Sequence, residues 1–237
     1  MRRLKWIIAL PIAALLLAMG GTWTYINVLR DDAPARLTLE GGISDNLPAT
    51  SATTAAGATA PASFDGTWVA ASGSRAGYRV DEVLFGQNVT AVGRTGNVDG
   101  ALTINGATVE SAAISIDLAS VESDESRRDN QFRGRIMNVA QYPTATFTLT
   151  SPIDLGTLPA EGATVTVPAT GELTLHGTKK TVTVEVTAKR SAGVISVSGT
   201  IPVVFADYGI PSPSFGPATV EDHGEVEFLV NFTKSNS

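Results

Sequence analysis

Cysteine is absent from all 237 residues, which removes disulfides, thiolate metal sites, a thiol nucleophile and a lipoprotein acylation site together. Charge is scarce at 17 %, aromatics are scarcer at 6 %, and only two histidines occur. Three of the seventeen basic residues (Arg2, Arg3, Lys5) sit at the N-terminus, leaving fourteen against twenty-three acids in the rest. Nucleic acid is a polyanion that needs clustered Lys and Arg, so it is excluded as a partner. What remains is rich in Thr, Val, Ala, Gly and Ser. β-Branched side chains suit a pleated strand and lose freedom in a helix, so this composition leans all-β.

Residues 1–5 form a basic N-terminus, and Trp6 to Ile26 contains no charge. Twenty-one residues at about 1.5 Å each reach about 30 Å, the thickness of a hydrocarbon core. Residues 6–26 therefore read as a transmembrane helix, with the N-terminus cytoplasmic and the C-terminal bulk in the cell membrane's extracytoplasmic space. The alternative is a signal peptide with Ile7–Leu17 as its apolar core, cleaved near Ala18-Met19-Gly20, and a secreted product. Residues 27–62 read as a solvated stalk and flexible linker, because 47–62 are small, uncharged and aperiodic. A folded domain is expected over 63–233.

Inside that domain apolar residues recur at every second position. Val182, Val184, Val186 and Ala188 form one such face, and Val165, Val167, Ala169, Gly171, Leu173 and Leu175 another. Ile195 to Val203, Val226 to Phe232, Ala112 to Leu118 and Val98 to Ile104 repeat the pattern, with shorter runs near Ala145–Leu149 and Tyr78–Val92. One wet and one dry face is the antiparallel signature. Turn signals at Asn105-Gly106, His176-Gly177 and Ala192-Gly193 join the runs as hairpins. The expected fold is an antiparallel, up-and-down eight-stranded barrel, with a sandwich as the structural alternative. Glu122 to Met137 breaks the alternation and predicts a short helix at the mouth, capped by Ser123 or Asp124.

The hairpin Gly171-Glu172-Leu173-Thr174-Leu175-His176-Gly177-Thr178-Lys179-Lys180-Thr181-Val182 resembles a motif of the YceI-like family. So does the block from Arg128-Asp129 through Phe132-Arg133 to Tyr142-Pro143-Thr144-Ala145-Thr146-Phe147, and so do Asp207-Tyr208-Gly209 and Asp222-His223-Gly224. The resemblance spans roughly residues 64–233. It departs from the family in having no histidine within Tyr78–Gly86 and in carrying Phe132-Arg133 for the more usual Leu-Arg. It implies a lipocalin-like bacterial barrel that holds a polyisoprenoid or similar long-chain lipid, without catalytic residues.

Candidates for the barrel interior are Phe85, Leu102, Ile114, Ile116 and Phe147. Val167, Leu173, Val184, Val197 and Phe228 join them, with Phe132, Ile136 and Met137 at the mouth. Each buried methylene contributes about 0.8 kcal/mol, so an alkyl chain gains by entering such a lining. Small inward residues such as Gly171 and Gly199 either leave a hollow or relieve the taper of a solid core. Arg127, Arg128, Arg133 and Arg135 are the one basic concentration. They either meet a lipid phosphate or pair with the interleaved Glu122, Asp124, Glu125 and Asp129. No ligand spacing for a metal and no Gly-x-Ser-x-Gly elbow occurs, so neither a metal, a cofactor nor an enzyme is expected. The alternatives are a cell-envelope interaction or stress-response module without ligand, and a lipid hydrolase using His176 or His223.

Overall fold

The structure, a computed structural model, describes residues 33–39, 64–84, 86–214, 216 and 218–235. The expected segment 6–26, the linker 47–62 and the candidate Phe85 lie outside these residues. Among the described residues no helix is long and apolar enough to cross a membrane.

The strands are β1 (Gly66–Ala70), β2 (Arg75–Leu84), β3 (Gln87–Thr95), β4 (Val98–Asn105) and β5 (Thr108–Asp117). After β6 (Glu122–Ser123), α1 (Ser126–Gln131) and a wide π-helical turn at Phe132–Ile136 come β7 (Thr144–Leu149), β8 (Ile153–Asp154) and β9 (Thr164–Leu175). The chain ends with β10 (Thr178–Ser191), β11 (Val194–Val204), β12 (Ala218–Val220) and β13 (His223–Lys234).

Eight antiparallel strands close a ring in the order β1-β4-β5-β7-β9-β10-β11-β13, and β13 returns to β1. Closure of this ring rules out the sandwich. The strictly sequential order expected from the hairpins is corrected at one place. β1 has five residues and covers only the end of β13, pairing Trp68 with Lys234 and Ala70 with Phe232. The edge left over, from Glu225 to Leu229, is taken by β2, which brings β3 with it. β3 in turn pairs only with the two residues of β6, so among the described residues no ladder joins β3 to β5. Residues 118–143 cross that gap.

The turns follow their residues. His176 and Gly177 both take positive φ (49° and 75°), as do Ala192 and Gly193 (50° and 79°), giving two-residue hairpins whose twist matches the strands. The predicted helix is shorter than Glu122–Met137, and its cap is neither Ser123 nor Asp124: Glu125 accepts from the Arg127 N–H at 3.1 Å. Ser123 instead donates its N–H and hydroxyl to Asp129 Oδ1, at 2.9 and 2.6 Å.

Residues 33–39, expected as part of a solvated stalk, are docked on the outer wall. Arg79 donates to the Pro34 carbonyl at 2.6 Å, Arg94 donates to that of Ala35, and Arg36 pairs with Glu225. Leu39 is buried. Beneath them Glu227, 1 % exposed, lies between Arg79 Nε (3.4 Å) and Arg94 Nη2 (2.7 Å). Both guanidiniums have donors to spare after meeting Glu227, and the carbonyls of residues 34 and 35 accept them.

Candidate functional site

The dry faces surround a hollow. An upper cavity of about 430 Å³ opens beside α1, and a lower one of about 180 Å³ lies toward the opposite end of the barrel. Ile116, Ala145 and Val226 line both.

The candidates read from the sequence distribute between them. Ile116, Phe132, Ile136 and Met137 line the upper cavity. Leu102, Ile114, Phe147 and Val167 line the lower one. Leu173, Val184, Val197 and Phe228 complete that wall. Period-two alternation is the reason, since each strand turns every second side chain to one face. Phe64 lines the lower cavity, its ring 4.2 Å from the Arg190 guanidinium, and Arg190 pairs with Glu161 at 3.6 Å.

The inward glycines serve packing between neighbouring strands. A Cβ on Gly171 would stand 2.4 Å from Phe147 Cζ, and one on Gly199 2.7 Å from Phe228 Cζ. The rings fill the space that the glycines vacate, so the hollow lies elsewhere along the walls.

The upper cavity contains polar groups that the apolar candidates omitted. Tyr78, Val80, Glu82 and Leu84 alternate inward along β2, and Glu82 is a buried carboxylate on the inner wall. Counting by two from Tyr78 was the signal that could have found it. Arg128 reaches Glu82 Oε1 at 3.4 Å and also pairs with Asp124. Burial opposes the charge on Arg128, but Asp124 and Glu82 outweigh it and hold the guanidinium above the ordinary arginine value. Tyr78 stacks on Phe132 with ring centres 5.0 Å apart. Desolvation by burial pushes its phenol up to about 12, so it stays neutral at ordinary pH.

Arg127 also lines this cavity, whereas Arg133 and Arg135 turn away. Arg133 donates to the Val121 carbonyl at 3.3 Å, and Arg135 to those of Ser212 and Pro213 at 2.8 and 3.1 Å. The histidines stand apart from both cavities. His176 Nδ1 meets the Tyr208 carbonyl at 3.2 Å and its ring packs edge-on against Tyr142. His223 is exposed between Glu221 (3.2 Å) and Asp222 (2.9 Å). The hydrogen bond to Asp222, with the nearby carboxylates, raises its pKa.

A family profile for the YceI-like domain matches residues 54–232. Among solved structures, the chain is similar to a polyisoprenoid binding domain from Saccharophagus degradans implicated in plant cell wall breakdown, at a TM-score of 0.59 and 22 % identity. That likeness covers 71 % of this chain and 98 % of the other. Burkholderia cenocepacia BcnA matches with a TM-score of 0.51 and 22 % identity, over 70 % of this chain and 95 % of its own. No curated protein sequence matches. The two structural likenesses bear on the fold.

Proposed function

This chain belongs to the YceI-like domain family, and on that premise we propose that its barrel encloses one long-chain amphiphile of isoprenoid or fatty-acyl type and performs no reaction on it. The observation that carries this reading is the hollow itself: two cavities in line, the lower walled almost wholly by aliphatic and aromatic side chains. Water makes few hydrogen bonds there, while an alkyl chain exchanges hydration for contact. The S. degradans relative is a polyisoprenoid binding domain, and the proposal carries that class of ligand to this chain. In the same reading residues 6–26 tether the barrel to the outer face of the cytoplasmic membrane, from which it would draw its lipid.

Two other readings find less support. An envelope-interaction module calls for a broad exposed apolar surface, yet the large hydrophobics exposed among the described residues, Val69, Val83, Leu158 and Val204, lie on four separate segments. A hydrolase calls for a nucleophile held by a base, and neither histidine hydrogen-bonds a serine among the described residues. Organic extraction of the purified full-length protein, followed by mass spectrometry, tests the proposal. One dominant long-chain lipid in near-stoichiometric amount is expected. Protein that purifies empty and does not take up long-chain lipid from micelles would end it.

A further inference from the structure

Resting on the lipid reading above, we infer that the lower end of the hollow holds a polar subsite at Arg190. The ligand it favours is a long chain whose end remote from the mouth carries an acceptor oxygen: a hydroxyl, carbonyl or carboxylate. Along β10 the inward alternation of Val184, Val186 and Ala188 reaches Arg190 next, and all four line the lower cavity. A guanidinium thus stands in a wall that is elsewhere almost wholly aliphatic and aromatic.

Its neighbours do not satisfy it. Among the described residues Arg190 Nε is the one buried side-chain nitrogen or oxygen without a hydrogen-bond partner. Glu161 Oε2 stands 3.6 Å from Nη2, too far for a hydrogen bond, and that side chain is more than half exposed. The other oxygen of Glu161 accepts from the Ala192 N–H at 3.0 Å. The Phe64 ring, 4.2 Å from the guanidinium, is attracted to its charge but offers no lone pair to Nε. A buried donor left unpaired is costly, more so on a charged group, and folded proteins rarely keep one. Water is a poor remedy, because the adjoining cavity is apolar and gives it few partners.

A chain whose far end bears an oxygen removes that cost. The two cavities share Ile116, Ala145 and Val226, so a ligand with its head in the upper one lays its chain along the lower one toward Arg190. Polar groups stand at both ends of that path, Tyr78 and Gln131 above and Arg190 below, with an apolar stretch between. A terminal methyl leaves Nε unpaired, whereas a terminal oxygen accepts from it. Nε is buried as the side chains stand, so the oxygen reaches it through rotation of the Arg190 or Phe64 side chain. A hydrogen bond from a charged donor in such a place raises affinity roughly tenfold.

The test uses the full-length protein in neutral-detergent micelles and measures binding of alkyl glycosides and of their ω-hydroxy counterparts over a series of chain lengths. The sugar is too bulky to pass down the hollow, which fixes the direction of the chain, and each ligand's partition into the micelles is measured separately. The ω-hydroxy chain is expected to bind roughly tenfold tighter at the length that reaches Arg190, and weaker at shorter lengths, where its hydroxyl is buried without a partner. Arg190→Met should abolish that reversal, so that the plain chain binds tighter throughout. An arginine with a merely structural role would weaken both members of each pair alike. A plain chain that binds tighter at every length in the unaltered protein overturns the inference while leaving the lipid reading standing. Binding of neither class at any length overturns the lipid reading and this inference with it. If Arg190→Met does not fold, the length series on the unaltered protein decides alone.

Discussion

Replacing Val197 with phenylalanine puts an aromatic ring into the lower cavity, whose volume is about 180 Å³. An unfilled hollow costs about 24 cal/mol per Å³, so filling this one recovers about 4 kcal/mol. About five methylenes at roughly 0.8 kcal/mol each give the same figure, so a chain end reaching this space contributes on the order of a thousandfold in affinity. The variant should therefore weaken a long-chain ligand by one to three orders of magnitude, according to how much of the space the ring occupies. An amphiphile short enough for the 430 Å³ upper cavity should bind as before. Because the ring enters empty space, the unliganded protein should melt no lower than the parent, and should melt higher if the ring fits without strain. Competition for a fluorescent lipid, run with one long and one short chain beside thermal unfolding, reads all three quantities. Equal loss for both chain lengths would refute the reasoning. So would a drop in melting temperature with long-chain binding intact, since that is how an overpacked solid core behaves.

Gly171→Ala should destabilise the barrel by about 1–3 kcal/mol, because its Cβ would stand 2.4 Å from Phe147 Cζ. Adding Phe147→Leu should return part of that loss, and a double-mutant cycle in denaturant with no coupling would count against the packing described. Glu227→Gln should cost about 3 kcal/mol in chemical denaturation, since it leaves Arg79 and Arg94 without the buried charge between them; a change under about 0.5 kcal/mol would place the group in solvent. Tyr78 should ionise near pH 12 in the folded protein, against an ordinary value of 10.0, so its contribution to stability is complete below pH 10 and is lost as pH rises toward 12. Ultraviolet titration of the parent and of Tyr78→Phe checks this, and an unchanged high-pH phase in the variant would refute it.

The dry faces were legible because they depend on neighbours two positions apart. From Val184 to Ala188, and from Val226 to Phe232, the alternation alone assigns the side chains that line the cavities. His176-Gly177 likewise announces its own turn, since the tight hairpin needs positive φ at both positions. Glu82 was legible in principle, two positions from Val80 on the inward face, but a charge in a strand reads first as a solvated one. The capping of α1 by Glu125, with Ser123 diverted to Asp129, turns on a competition among adjacent polar residues that spacing does not settle. The docking of residues 33–39 onto Arg79 and Arg94 depends on partners about 45 to 59 positions away.

The chain's own order of residues determined that it makes antiparallel strands, which side of each is dry, and where the hairpins turn. These are consequences of short-range sterics and of a period of two. Whether those dry sides meet one another or face a hollow was decided only in three dimensions. The enclosed volume depends on how eight strands curve, on β1 being too short to cover β13, and on Phe147 and Phe228 lying over glycines of neighbouring strands. Each is a contact between segments far apart in sequence, and a small difference in any of them changes the space left inside.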